Sequence, residues 1–123
     1  MELNEYQKSA MTTCMSSSEN FGYMFLNLVG EVGELASKVA KGIRKGHISL
    51  DGNNLRFEEF PTCIDMDQDM MYEAGDILWQ LSGLCSVMGW DLERIARMNL
   101  DKLAARKAIG TIDGNGDGIE RSK

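Results

Sequence analysis

The sequence predicts an all-α fold, a single bundle of about four main helices. Apolar residues recur at three- and four-residue steps along the long segments, which is the period of an α-helix. The chain has only one proline, and glycines follow the ends of the periodic segments. With 123 residues it has room for one core, so we expect residues 1–123 to form a single domain.

The N-terminal half predicts a short helix followed by a long one. The first helix covers residues 4–14, and a run of serines then forms a polar break. The second helix covers residues 20–45, and Gly46 ends it. Its apolar line consists of Phe25, Leu28, Val32, Leu35, Val39 and Ile43.

The C-terminal half predicts two further helices after an irregular segment. Residues 46–66 lack a clear period, and we interpret them as a loop excursion because Leu55-Arg56-Phe57 is too short to predict a sheet. The third helix covers residues 67–88. The fourth covers residues 91–109, with Asp91 as its N-cap, and a flexible Gly/Asp tail follows at 111–123.

Composition excludes several classes of function. The net charge of −6 disfavours binding to a nucleic acid polymer, which usually needs a basic surface. A single histidine excludes zinc sites built from several histidines. Three cysteines indicate a reducing compartment, and no segment is long and apolar enough to span a membrane. We therefore expect a cytoplasmic protein without a membrane partner.

Each long helix carries three polar residues at positions i, i+3 and i+7, which share one helix face. They are Glu31, Glu34 and Lys38 on the second helix, Glu73, Asp76 and Gln80 on the third, and Asn99, Lys102 and Arg106 on the fourth. Both acid pairs border an apolar line, since Leu35 projects only about 40° from Glu31 and Ile77 only about 40° from Glu73. Packing of the second helix on the third would bring the four carboxylates together.

Such a group of carboxylates at the edge of a core needs protons or cations to neutralise it. Divalent ions that prefer oxygen ligands are the simplest solution, above all Mg²⁺, and Lys102 and Arg106 could then hold phosphate oxygens. The alternative is that each acid pair is a solvated helix face, as a lone Glu-x-x-Glu pair usually is. From the residues alone both interpretations stay open.

The same residues resemble a known family. The runs Gly30-Glu31-Val32-Gly33-Glu34-Leu35 and Glu73-Ala74-Gly75-Asp76-Ile77-Leu78 resemble the ExxE…ExxD signature of MazG-like nucleoside triphosphate pyrophosphohydrolases. The opening Asn4-Glu5-Tyr6-Gln7 is similar to their first helix. Asn99, Lys102, Leu103 and Arg106 match their downstream N-x-x-K-L-x-x-R. The resemblance covers nearly the whole chain except residues 46–66.

This resemblance implies an all-α fold and Mg²⁺-dependent hydrolysis of an NTP or dNTP to NMP and pyrophosphate, with Mn²⁺ as an alternative ion. By position, the catalytic and metal-binding residues would be Glu31, Glu34, Glu73 and Asp76. The substrate-binding residues would be Lys38, Asn99, Lys102 and Arg106. Because members of the family usually assemble, we expect a homodimer or homotetramer engaged in nucleotide-pool housekeeping.

Two alternative functions remain at this stage: the same reaction on phosphoribosyl-ATP, and a catalytically silent helical module that binds a nucleotide or a protein partner.

One departure from the family pattern bears on the substrate. Thirty-eight residues separate Glu34 from Glu73, more than is usual. The excursion, which contains His47, Arg56, Phe57 and Phe60, is either an idle insertion or the lining of a base pocket.

Weaker signals have plain structural interpretations. Five aromatic residues are candidates for stacking on a base, although core packing is the commoner role: Tyr6, Phe21, Phe25, Trp79 and Trp90. We interpret Gln7 as an exposed glutamine, and Cys14 and Cys85 as small core residues. The stretch from Asp113 to Ile119 resembles half of an EF-hand loop, but a flexible turn is the better interpretation.

Overall fold

The computed structural model describes residues 1–58 and 65–110 and confirms the predicted all-α fold. Its helices are α1 (Leu3–Met11), α2 (Phe21–Arg44), α3 (Met66–Val87) and α4 (Leu92–Ala108). A short 3-10 turn at Ser16–Ser18 precedes α2, and two strands, β1 (Ile48–Asp51) and β2 (Asn54–Phe57), lie between α2 and α3. The predictions for Phe60 and the tail lie outside the described residues. Within those residues no helix meets the length and hydropathy needed to cross a bilayer.

Side-chain caps start the three longer helices. Asn20, Asp65 and Asp91 each accept a hydrogen bond from the main-chain N–H three residues ahead, and the Asp91 bond is 2.7 Å long. Asp91 is therefore the N-cap that the sequence predicts. At the other ends, the glycines at 46, 89 and 110 adopt positive φ angles, which is a common way for a helix to stop.

The first helix is shorter than predicted. It ends at Met11 instead of residue 14, because the hydroxyls of Thr12 and Thr13 donate to the main-chain oxygens of Ser9 and Ala10. Threonine side chains that bond to the preceding turn compete with continued helical hydrogen bonding. The chain consequently turns towards α2 one helical turn early.

The long helices α2 and α3 pack against each other and form the body of the fold. Met24 of α2 is fully buried against Gly83 of α3, where a side chain on the glycine would collide with the methionine sulfur. The predicted apolar line of α2 is partly wrong, since Phe25, Val32 and Ile43 are each more than 40% exposed. The apolar surface of α2 is wider than the strip that α3 covers.

Helix α1 packs on α3 and also holds the start of α4. The indole nitrogen of Trp79 donates to Ala10 O and to Thr13 Oγ1, so this ring anchors α1. The prediction that Gln7 is exposed is wrong, because its side chain is buried between helices. Its amide nitrogen donates to Ser86 Oγ and Trp90 O, and its oxygen accepts from the N–H of Leu92.

The prediction of a plain loop at 46–66 is also wrong, because residues 48–57 form an antiparallel hairpin. Ile48 pairs with Phe57 and Asp51 pairs with Asn54, which leaves a two-residue turn. Gly52 has a φ of +62° at the first position of that turn, where tight hairpin turns favour glycine. The sequence signal was this Gly-Asn pair between two leucines.

Contacts with α2 hold the hairpin in place. Ile48 is 1% exposed, and the absence of a side chain at Gly42 makes room for it: a Cβ there would lie 2.9 Å from Ile48 Cδ1. On β2, Arg56 binds the carboxylate of Glu58, which also accepts from Ser49 Oγ. The hairpin therefore contributes a buried residue to the core, and whether residues 46–66 also line a base pocket stays a prediction.

Candidate functional site

Carboxylates from α2 and α3 converge at the edge of the interface between these helices. One oxygen from each of Glu31, Glu73 and Asp76 lies within 4.8 Å of the other two. Glu31 and Glu73 are half-buried, and Asp76 is exposed. This acid cluster is the arrangement that the helical spacing predicts for residues bordering two packed apolar lines.

Electrostatic strain in the acid cluster is concentrated on Glu31. Burial is the main factor that raises the pKa of this carboxyl group, and the charges of Asp76, Glu73 and Glu34 raise it further. A hydrogen bond from Asn27 acts in the opposite direction. The carboxylate of Glu31 is thus both desolvated and surrounded by like charge, a situation that a bound cation would relieve.

Lys38 supplies part of the missing positive charge. Its ammonium lies 3.2 Å from Glu73 Oε1, and the Glu73 side chain is only 16% exposed. One ammonium against three carboxylates still leaves the acid cluster negative. The remaining charge and the hard oxygen donors match what Mg²⁺ requires, so the residues present fit this ion.

Glu34, the fourth predicted ligand, lies outside the set of mutually close oxygens. It is exposed on α2, although its charge still contributes to the raised pKa of Glu31. A glutamate side chain with three rotatable bonds reaches several positions from an exposed site. Its role as a ligand stays a prediction.

The polar triplet of α4 lies on a different helix from the residues of the acid cluster. Asn99 and Lys102 are exposed and Arg106 is half-buried, and α4 packs mainly on α1. Their assignment as substrate-binding residues also stays a prediction.

Three residues near the acid cluster were given no positioning role by the sequence patterns. Asn27 contacts Glu31, and Gln80 contacts Asn27 from α3. Tyr6 of α1 comes close enough to Asp76 for that charge, after burial, to raise the pKa of its phenol. A signal for Asn27 did exist, because it precedes Glu31 by four residues on the same helix face.

The remaining candidate residues are two cysteines predicted to be in the core and two phenylalanines predicted to stack on a base or pack in the core. Cys85 is buried as predicted, and Cys14 is half-buried. Phe21 and Phe25 stack on each other with ring centres 5.4 Å apart, but they are 53% and 45% exposed, so core packing within the chain does not explain them.

Comparison with known proteins identifies the family. The model of the MazG nucleotide pyrophosphohydrolase domain matches residues 20–109, which include the complete acid cluster. The chain belongs to the MazG family. Members of this family are typically metal-dependent and act on nucleotides, in agreement with the donor set described above.

One relative of this MazG chain is the "Gene 37 protein" of Mycobacterium phage L5. The two are 31% identical over 126 residues, which cover 95% of this chain and 98% of the phage protein. The similarity therefore extends over more of the chain than the matched domain at residues 20–109. No solved structure matches the chain significantly.

The raised pKa of Glu31 predicts a specific pH dependence of stability. A carboxyl group whose pKa is higher in the folded protein binds its proton more tightly there, so its contribution to stability falls as pH rises from its ordinary value of 4.5 through the raised pKa. Glu31→Gln removes this loss. We expect the melting temperature of Glu31→Gln, relative to wild type, to be higher at about pH 7.5 than at about pH 4.5 in metal-free buffer.

Thermal melts of both proteins at the two pH values test this expectation, and added Mg²⁺ provides the control. A bound Mg²⁺ ion would stabilise the ionised carboxylate of the wild-type protein only, so added Mg²⁺ should shrink or reverse the difference at the higher pH. An identical difference at both pH values would show that Glu31 has an ordinary pKa.

Proposed function

We propose that this MazG protein hydrolyses an NTP or dNTP to the monophosphate and pyrophosphate in a Mg²⁺-dependent reaction in the cytoplasm. The observation that carries the proposal is the convergence of Glu31, Glu73 and Asp76 within a MazG domain. Nucleoside triphosphates themselves carry Mg²⁺, and carboxylates of this kind commonly bind the ion together with substrate phosphates. The site and the substrate class thus require the same ion.

The residues of the chain divide into two sets of roles. The carboxylates of Glu31, Glu73 and Asp76, with Glu34 as a fourth, would hold Mg²⁺, which when bound neutralises charge on the phosphates and the departing pyrophosphate. One of these four carboxylates would accept the proton of the attacking water.

Cationic side chains would hold the triphosphate. Lys102 and Arg106 suit phosphate oxygens, Arg106 through two parallel N–H groups and Lys102 through a compact charge, and Asn99 would lie beside them. The Lys38 side chain is 35% exposed and has a flexible stem, so its ammonium could turn from Glu73 to a phosphate oxygen once a metal ion neutralises the acid cluster.

Assembly into a homodimer or homotetramer is part of the proposal. Four apolar side chains on α2 are 45–61% exposed: Phe21, Phe25, Val29 and Val32. They lie on adjoining positions of one side of the helix, and a continuous apolar surface of this kind commonly marks a protein interface. A second copy of the chain would cover it and could bring further residues to each site.

The experiment that tests the proposed function is incubation of the purified protein with a panel of NTPs and dNTPs, in Mg²⁺ and in EDTA, followed by measurement of phosphate products. We expect pyrophosphate and monophosphate from one or a few nucleotides, with Mg²⁺ only. This result would name the base and sugar preference at the same time.

The alternative outcomes are distinct. Release of orthophosphate would mean that a different bond is cleaved. Pyrophosphate from phosphoribosyl-ATP, with no turnover of the panel, would move the same chemistry to that substrate. If no phosphate ester reacts, the silent binding module becomes the better account, and a melt with and without Mg²⁺ would show whether the ion still binds.

A further inference from the structure

A polar pair that bridges α2 and α3, Asn27 and Gln80, lies directly behind Glu31. Asn27 and Glu31 are four residues apart, so their side chains lie on the same face of α2, one turn from each other. The Nδ2 atom of Asn27 donates to Gln80 Oε1 over 2.8 Å and lies 3.4 Å from the hydroxyl of Tyr23. The same amide interacts with the Glu31 carboxylate closely enough to lower the pKa of that group. An amide nitrogen carries two protons, so Asn27 can donate one to Gln80 and turn the other from the long contact with Tyr23 towards Glu31.

Gln80 is held in one orientation by its surroundings. Its side chain is 1% exposed, and its Nε2 atom lies 3.1 Å from Met24 Sδ and 3.4 Å from Met24 O. Met24 is itself fully buried. Because water does not reach Gln80, turning its amide over would leave buried polar atoms without partners, at a cost of about 1–3 kcal/mol for each.

The orientation of Gln80 determines that of Asn27. Gln80 offers an acceptor oxygen to α2, so Asn27 must present its NH₂ group and not its oxygen on that side. The NH₂ group is also the end that a carboxylate can bind, since an amide oxygen and a carboxylate are both acceptors. Removal of Gln80 would free the Asn27 amide to rotate, so that its NH₂ group would no longer be held in one place beside Glu31.

We propose that Asn27 and Gln80 are positioning residues, which orient the carboxylate of Glu31 towards Glu73 and Asp76. This inference rests on the proposed function, in which Glu31 holds the metal ion. Neither side chain touches substrate in this account, and Gln80 acts only through Asn27. Groups that hydrogen bond to metal ligands commonly change metal affinity by about 10- to 100-fold when they are removed.

The test measures Mn²⁺ binding to the full chain, from the electron paramagnetic resonance signal of free Mn²⁺. Gln80→Met keeps the length of the side chain but removes both polar ends, and Asn27→Ala removes the amide that contacts Glu31. We expect each variant to bind Mn²⁺ about tenfold more weakly than wild type. The double variant should bind no more weakly than Asn27→Ala, because Gln80 has no further route to Glu31.

The matched control is Ser82→Ala. Ser82 is fully buried two residues along α3, but its hydroxyl donates to Leu78 O of its own helix, so we expect unchanged Mn²⁺ affinity. Circular dichroism melts establish that each variant is folded. Should Gln80→Met not fold, Asn27→Ala still decides the matter, since Asn27 is only half-buried.

Two results would overturn the inference. One is a folded Gln80→Met or Asn27→Ala variant with wild-type Mn²⁺ affinity, and the other is a double variant whose loss equals the product of the single losses. Either would leave the proposed function intact. Absence of Mn²⁺ binding by the wild-type protein would instead remove the metal site itself, and this inference with it.

Discussion

Replacement of Glu73 by Gln, or of Asp76 by Asn, should lower turnover roughly a thousandfold, since a metal ion contributes several kcal/mol to catalysis and about 4 kcal/mol corresponds to this factor. Both substitutions keep the shape of the side chain and remove its charge. They act on oxygens that lie within 4.8 Å of two other carboxylates. In the proposed function each substitution removes a metal ligand, while the helices that carry it are unchanged.

Stability should move differently from activity in these variants. Asp76→Asn removes a like charge near Glu31, so we expect an equal or higher melting temperature in metal-free buffer. Steady-state rates with Mg²⁺ and thermal melts measure the two quantities separately. Asp67→Asn is the matched control, because it neutralises an exposed acid in the first turn of the same helix. Near wild-type rates in Glu73→Gln or Asp76→Asn would refute the proposed metal site.

Replacement of Gln7 by Leu should destabilise the fold by about 2–4 kcal/mol, because a buried donor or acceptor left without its partner costs about 1–3 kcal/mol. The substitution leaves the N–H of Leu92 without its acceptor and the carbonyl of Trp90 without this donor. In a chain of this length, we expect the melting temperature to fall by about 10 °C.

Thermal and urea unfolding of Gln7→Leu measure this effect, and Asn4→Ala is the natural comparison. Asn4 also caps the start of α4, through a 2.9 Å bond to the N–H of Glu93, but that contact is exposed. A lost exposed cap costs only about 1 kcal/mol. Equal losses in the two variants would show that burial of the Gln7 contacts contributes nothing.

The helical period was sufficient to predict the acid cluster. Glu31 and Glu73 border apolar lines on helices long enough to pack side by side, so their convergence follows from local geometry alone. The position of Glu34 does not follow, because an angle around the helix axis does not decide whether a side chain is covered by the neighbouring helix.

The hairpin illustrates what local patterns miss. Its strands have only four residues each. Their stability depends on the packing of Ile48 into the space that Gly42 leaves because it has no side chain. A glycine inside a predicted helix does not indicate which residue will pack into the space beside it. The composition of residues 51–54 is typical of a turn, but it does not indicate that the turn connects two strands.

The burial of polar residues is a second feature that local patterns do not predict. Gln7 and Gln80 are polar, and polarity alone places them at the surface. They are buried because each finds partners on another element. Gln7 binds Ser86, the main chain of the α3–α4 connection and the start of α4. Gln80 binds Asn27. Such pairs become visible only when the helices are placed together.

The most direct test of the central claim is the full product balance for one reactive nucleoside triphosphate, followed by ³¹P nuclear magnetic resonance. The account predicts one pyrophosphate for each monophosphate, no reaction in EDTA, and recovery of the reaction when Mg²⁺ is restored. Formation of the diphosphate and orthophosphate, or hydrolysis that persists without a divalent ion, would contradict it.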